Sequence, residues 1–166
     1  MSVGVGPKIP IGDYSDSHNI GVGFDFTFSY TDNNLAPLFV YTKIGYQHFP
    51  GKQSFYKTSN HSSISSNVIF VYPGARIFLP PIIEQEFLLM PVVEVGASWA
   101  WFQIYHQFKI DSGISNYTED DIKWGVHMGA GVSMFLLDVM VYYNYFHNHQ
   151  YLSFDLRLRI PIFVKV

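Results

Sequence analysis

The sequence predicts an all-β protein, an eight-stranded antiparallel up-and-down transmembrane β-barrel. Three observations carry the prediction. Period-two alternation recurs along most of the chain. Charge is scarce although no long apolar run exists. Polar connections alternate between generous and terse. The clearest alternation closes the chain: Leu152, Phe154, Leu156, Leu158, Ile160, Ile162, Val164 and Val166 fall on one face. Ser153, Asp155, Arg157, Arg159 and Lys165 fall on the other, interrupted by Pro161 and Phe163. Period two means a strand with unlike faces. At about three times the usual strand length, this segment is long enough to cross a bilayer at a tilt.

Composition points the same way. The 166 residues suit one domain, taken as 1–166. Charged residues are 14% of the chain, well below the roughly 25% of soluble domains. No stretch approaches ~18 consecutive apolar residues, which excludes a transmembrane helix. A chain poor in both must hide its hydrophobicity in alternation. A net charge of −3 argues against nucleic-acid binding. With no cysteine, disulfides and thiolate metal sites are excluded. Met1-Ser2-Val3 opens inside a strand pattern with no signal peptide, so the chain reads as a mature form with a start Met.

Strand 1 is expected over Ser2 to Ile9. Strand 2 spans His18 to Tyr30, with Ile20, Val22, Phe24, Phe26, Phe28 and Tyr30 against Gly21, Gly23, Asp25, Thr27 and Ser29. The turn Thr31-Asp32-Asn33-Asn34 follows. Strands 3 and 4 run from Pro37 to Phe49 and from Ser63 to Leu79. A connection with Pro80, Pro81, Glu84 and Glu86 leads to strand 5, Phe87 to Tyr105. Strand 6, Asp121 to Met134, sets Ile122, Trp124, Val126, Met128, Ala130 and Val132 against Lys123, Gly125, His127, Gly129, Gly131 and Ser133. A tight turn at Leu136 to Asp138 gives strand 7, Val139 to Phe146, and the terminal segment is strand 8. The connections Pro10 to Ser17, Pro50 to Ser62, His106 to Asp120 and His147 to Gln150 are polar, and the second and third are long. Long outer loops with short inner turns is the rule for membrane barrels.

Alternation does not say which face is outside, and a lipocalin-type soluble barrel would reverse the assignment. The less apolar face decides. It is built of Gly, Ser, Thr and isolated charges, whereas water-facing strands carry many Lys and Glu. Turned inward, it collects Lys8, Lys43, Arg76, Lys123, Arg157, Arg159 and Lys165 with Asp25, Glu94 and Asp155. Lys52, Lys57 and Lys109 fall in outer loops, so no charge need face lipid. Tyr46, Trp99, Trp101, Trp124, Tyr143 and Tyr145 then lie on the lipid face near outer strand ends, with Tyr30 near an inner end. That distribution matches an aromatic girdle.

With these strands in place, the chain resembles the small eight-stranded outer-membrane barrels, the family of the OmpA transmembrane domain and OmpX. The run Ile9-Pro10-Ile11-Gly12-Asp13-Tyr14-Ser15-Asp16-Ser17-His18-Asn19-Ile20-Gly21-Val22-Gly23-Phe24 is similar to the first hairpin of "outer membrane protein beta-barrel domain" proteins of Bacteroidota. The resemblance implies the outer membrane of a Gram-negative-type bacterium, and contact with membrane lipids and lipopolysaccharide. The chain departs from it by ending in Val166, where that family usually ends in an aromatic residue.

Chemistry is expected in four places. Charges in a narrow lumen must pair, so Asp25, Lys43, Arg76, Glu94, Lys123, Asp155, Arg157 and Arg159 are expected to form a network, with Lys8 and Lys165 reaching water at the rims. That network reads as a plug; the alternative is a narrow channel for small apolar or anionic solutes. Histidines 18, 48, 61, 106, 147 and 149 crowd predicted outer ends, but they belong to four connections, and neither metal nor cofactor is expected. The deacylase type of lipid-modifying barrel would need a His-x-Ser run. Here His149 and Ser153 would lie ~13 Å apart, and His106, Asp111 and Ser112 are a triple any polar loop offers; no enzyme is expected. Phe55, Tyr56, Phe108 and Tyr117 in loops 2 and 3 suit a protein or cell-surface ligand, or else pack on each other where strands extend past the membrane. Pro73 and Pro91 inside strands mark bulges or a lateral opening. The expected role is structural or recognition work by a monomer, or by a subunit of a larger envelope complex.

Overall fold

The computed structural model describes residues 1–32, 37–82 and 89–160. Eight strands follow in order: β1 (Ser2–Ile11), β2 (Gly21–Tyr30), β3 (Leu38–Pro50), β4 (His61–Phe78), β5 (Leu89–Phe108), β6 (Tyr117–Met134), β7 (Leu137–Phe146) and β8 (His149–Arg159). Each pairs antiparallel with its sequence neighbours, and β1 closes on β8 through pairs such as Val3↔Leu158 and Ile9↔Leu152. Closure leaves no free edge in the body of the barrel. Two short helices, α1 (Tyr14–Ser17) and α2 (Gln53–Thr58), occupy the first two outer connections. The expected turn at Asn33 and Asn34, the residues Glu84, Glu86 and Phe87, and the terminal run from Pro161 to Val166, Lys165 included, lie outside the described residues.

The faces are inverted relative to a soluble protein. Asp25, Lys43, Arg76, Glu94, His127, Asp155 and Arg157 are buried, while Val5, Phe24, Phe26, Ile44, Val95, Val126, Met128, Val141, Phe154 and Leu156 are exposed. Along the described strands, Asp120 is the one charged residue on the outward face, and it stands high on β6. A soluble barrel would not leave such a band bare, so the wall is built for lipid.

The strands differ in length. Pairs Leu89↔Met134 and Met134↔Leu137 keep the inner ends of β5, β6 and β7 level. β5 has 20 residues and β7 has 10, so the surplus lies at the outer end. β6 loses its β7 partner beyond Gly125↔Phe146, and Tyr117 to Trp124 rise on the order of 20 Å higher, paired with β5 alone. The third loop is therefore shorter than its polarity suggests, because Phe108 and Tyr117 already belong to the hairpin. Glu119, Asp120 and Asp121 guard the free edge of β6, and charge there discourages strand addition.

Two turns also differ from expectation. His147-Asn148 is a two-residue hairpin turn, with Asn148 at φ 61, a conformation asparagine tolerates. Phe135-Leu136 is the other, with Phe135 at φ 51. So tight a turn returns Asp138 to β7, inside the barrel rather than in the connection. The two prolines open no gap: Pro91 pairs with Val132, and β4–β5 pairing skips Tyr72 and Pro73 but resumes in the same register. Pro73 lacks an N–H to donate, which accounts for the skip.

Lumen width is set by small residues opposite large ones. A Cβ on Gly129 would lie 2.3 Å from a ring carbon of Tyr142. Val95→Arg, placing a cation on the lipid face, is expected to cost ~2–4 kcal/mol in equilibrium unfolding from lipid vesicles. A cost below ~0.5 kcal/mol would contradict the lipid assignment.

Candidate functional site

The lumen is filled by two layers. The inner layer is ionic. Arg157, from β8, is fully buried, with Glu94 at 3.3 Å, Asp155 at 3.6 Å and Asp25 at 3.8 Å. Arg76 of β4 reaches Glu94 through Nε at 2.6 Å and Asp138 at 3.5 Å. Tyr142 donates its hydroxyl to Glu94 at 2.9 Å, and its ring lies beneath Lys43, whose Nζ is 3.7 Å from the centroid. Thr27 donates to Asp25 at 3.1 Å. The strands supply these groups at alternate positions, and barrel closure brings β2, β3, β4, β5, β7 and β8 to one axis.

Two sequence placements are corrected, and a third holds at a different height. Lys123 is not in this network: it sits at the outer mouth, 2.6 Å from Asp121 on its own strand. The extension of β6 lifts it above the layer. Arg159 belongs to the network from the inner rim, bound to Ser133 at 2.8 Å and at 2.7 Å to Asp138, which it shares with Arg76. Lys8 does not reach water; it is buried and ion-paired with Asp155 on β8, which barrel closure brings beside β1. Sequence reasoning missed Asp138, placed in a turn although its phase matches Met140, Tyr142 and Asn144. It also missed His127, whose nitrogens contact Ser98 at 2.9 Å and Tyr41 at 2.6 Å. Its partners stand on β5 and β3, which no local signal reveals.

The outer layer is an aromatic plug. Gly12, at φ +59, turns the chain into α1, a conformation that glycine adopts without strain. Tyr14 then drops into the mouth, 3% exposed, against Phe49 at 5.1 Å, His18 at 4.5 Å, His149 at 4.7 Å and Phe102 at 6.5 Å. Phe146 and Tyr151 complete the layer, and Tyr151 meets Tyr72 hydroxyl to hydroxyl at 2.6 Å. Backbone bonds Asn19 N–H to Pro50 O (2.7 Å) and Lys52 N–H to Ser17 O (2.8 Å) pin α1 to the second loop.

Above the plug, the β4–β6 extension carries rings and imidazoles. Phe55 lies 5.2 Å from His61, and His61 lies 4.4 Å from Phe108. His106 stacks on Tyr117 at 4.5 Å, and Phe108 follows at 5.9 Å from Tyr117. Tyr56 clasps β4, donating to Ile64 O at 3.1 Å and accepting from Ile64 N–H at 3.2 Å. Tyr30, Tyr46, Trp99, Trp101, Trp124, Tyr143 and Tyr145 all stand on the exterior. Tyr46 donates to Asn67 and Tyr143 to Gln150, at 2.7 and 2.8 Å, so two hydroxyls point to polar neighbours. Of the serines in the groupings weighed for catalysis, Ser153 is buried and accepts from Asn144 Nδ2 at 2.9 Å, and Ser112 donates to Lys109 O at 2.6 Å. No group of three or more metal-ligating residue types is arranged for an ion among the described residues.

These features define a class, the closed eight-stranded antiparallel barrel with an apolar exterior and a packed polar lumen. No family model and no curated protein matches the chain. Solved structures of the same fold do. The attachment invasion locus protein Ail of Yersinia pestis aligns with TM-score 0.58 and 15% identity, over 94% of this chain and 92% of that one. The outer membrane enzyme PagL aligns with TM-score 0.57 and 15% identity, over 98% and 100%. Ail in complex with the heparin analogue sucrose octasulfate gives 0.51 and 17%, over 94% and 92%.

Arg157→Met is expected to destabilise the barrel by about 3–5 kcal/mol in denaturant unfolding, since it strands Glu94, Asp25 and Asp155. Adding Glu94→Gln should recover part of that loss; a fully additive pair would argue against the network. His18 gives a pH signature. Burial, then the imidazoles of His149, His106 and His48, lower its pKa from 6.5 to about 4. A depressed histidine favours folding above its unfolded pKa and loses that contribution as pH falls towards the folded value. Exchange protection of residues 12–19, corrected for intrinsic rates, should drop between pH 6.5 and about 4, and drop less in His18→Asn.

Proposed function

We propose that this protein is a plugged outer-membrane barrel of a Gram-negative-type bacterium that works through its outer end. Its part is structural or recognition work, not transport or catalysis. The observation carrying this reading is the double seal, Tyr14 with its aromatic neighbours above and the Arg157–Glu94 layer below. A filled lumen leaves the outer extension as the surface with side chains free to meet a partner. The seven exterior aromatics serve as the girdle, holding the wall in lipid and lipopolysaccharide. Phe55, Phe108 and Tyr117, gathered around His61 and His106, form the platform. Tyr117 is half exposed, and a ring in that state contributes contact area with little entropy loss. A kinship with OmpA-type and OmpX-type barrels is supported by the strand pattern of the whole chain, and one with the "outer membrane protein beta-barrel domain" proteins of Bacteroidota by the first hairpin and the terminal strand.

The partner favoured by charge is not a polyanion. Outer-end residues Asp13, Asp16, Asp111, Glu119, Asp120 and Asp121 outnumber Lys52, Lys57, Lys109 and Lys123. Lys52 and Lys109 are further tied to Ser15 O and Ser59 O. A ligand presenting apolar or unsulfated sugar ring faces, on a cell surface or a protein, fits better than a polysulfated sugar like the sucrose octasulfate bound by Ail.

Two measurements on the chain refolded in lipid test the proposal. Planar bilayers should show no steady current, and Tyr14→Ala should raise the frequency of transient openings. Binding to immobilised heparin should vanish at physiological salt, where surface attraction beyond a Debye length of ~8 Å is screened. Binding to unsulfated glycans or cell-surface proteins should fall at least tenfold in Phe108→Ala/Tyr117→Ala. A steady anion-selective current would replace the plug with a channel. A partner insensitive to that double substitution would move recognition elsewhere.

A further inference from the structure

His61 and His106 are 45 positions apart in sequence, yet His61 Nε2 lies 3.2 Å from His106 Nδ1. A register shift between His61 and Ser63 brings them together. His61 pairs with Phe108 and Ser63 with Gln107, so one extra residue on β4 re-aims the His61 side chain. The remaining nitrogen of His106, Nε2, faces Glu119 Oε2 at 3.3 Å. His106 Nε2 makes no hydrogen bond in this geometry, and a small turn of the half-exposed Glu119 side chain would let the carboxylate accept that proton and leave Nδ1 directed at His61. Tyr117 stacks on His106 and Phe108 packs against His61, which fixes both rings.

We propose that His61 Nε2 and His106 Nδ1 form a two-imidazole site for a late first-row divalent metal ion, with Glu119 as the carboxylate orienting His106 and water completing the shell. The geometry sits close to what such an ion requires. Two nitrogens bound at about 2.0–2.1 Å to one tetrahedral ion stand about 3.3 Å apart, and these stand 3.2 Å apart. In the metal-free pair one proton bridges the two nitrogens, and the ion replaces it. His61 Nδ1, buried without a partner, then carries the displaced proton. A histidine ligand whose second nitrogen meets a carboxylate is the usual support for such a site. Imidazole donors select Cu²⁺, Ni²⁺ and Zn²⁺ over Mg²⁺ and Ca²⁺, with Cu²⁺ tightest. The site goes beyond the recognition reading and does not depend on it, because the ion binds with no partner present.

Isothermal titration of the untagged full chain, folded in detergent, with CuCl₂, ZnCl₂ and MgCl₂ tests the proposal. The expected result is saturable binding of one Cu²⁺ and, more weakly, one Zn²⁺, with no response to Mg²⁺. His61→Asn and His106→Asn should each weaken binding at least tenfold, Glu119→Gln about tenfold, and His147→Asn not at all. Heat-modifiable gel mobility reports whether each variant folds. Histidine carbethoxylation of the unaltered chain, read by mass spectrometry, covers variants that do not fold: Zn²⁺ should protect His61 and His106 and leave His147 reactive. No binding at about 1 mM metal, undiminished binding in both His variants, or protection confined to other histidines would overturn it.

Discussion

The Arg157 guanidinium is the interaction on which the interior depends. Closing eight strands into one wall removes the lumen from water, so an unpaired charge inside costs several kcal/mol. Arg157 answers that constraint by standing among Glu94, Asp155 and Asp25, while Arg76 and Lys8 reach two of those carboxylates from other strands. The tyrosines finish the arrangement. Tyr142 gives Glu94 a hydrogen bond and offers its ring to Lys43 and Arg157. The packing needs space, and Gly129 supplies it opposite Tyr142. Lumen composition, glycine placement and strand register are therefore one solution to a single electrostatic demand.

The outer plug answers a different demand. An eight-stranded barrel leaves a mouth that charged pairs alone would keep wet. Tyr14 enters it because Gly12 permits the turn and because α1 is tied to the second loop through Asn19 and Lys52. Phe49, Phe102, Phe146 and Tyr151 receive it from four strands. Once the mouth is sealed, chemistry is displaced to the asymmetric wall above, where β4, β5 and β6 outgrow their neighbours. The polar edge of β6 and the ring stack beside it exist because that hairpin has no β7 partner to cover it.

Much of the architecture was legible because strand alternation is local. Residues two apart share a face whatever the rest of the chain does, so the inward placement of Asp25, Lys43, Arg76, Glu94, Asp155 and Arg157 could be read directly. Asp138 could not, because one two-residue turn at Phe135-Leu136 shifts which residues count as strand. Lys8 was misplaced because its partner, Asp155, stands on β8, which only barrel closure brings beside β1. Lys123 has the right face and the wrong height, since face is periodic while height depends on how far its neighbours extend.

The sequence by itself determined the strand count, the two faces and the demand that lumen charges pair, because each follows from period-two geometry and the cost of burying charge. The tertiary structure alone decided which partners meet. Register and closure brought His127 to Ser98 and Tyr41, Arg157 to Glu94, and His61 to His106. Those pairings join residues 29 to 86 positions apart, and a shift of one residue in pairing would turn every such side chain to the opposite face.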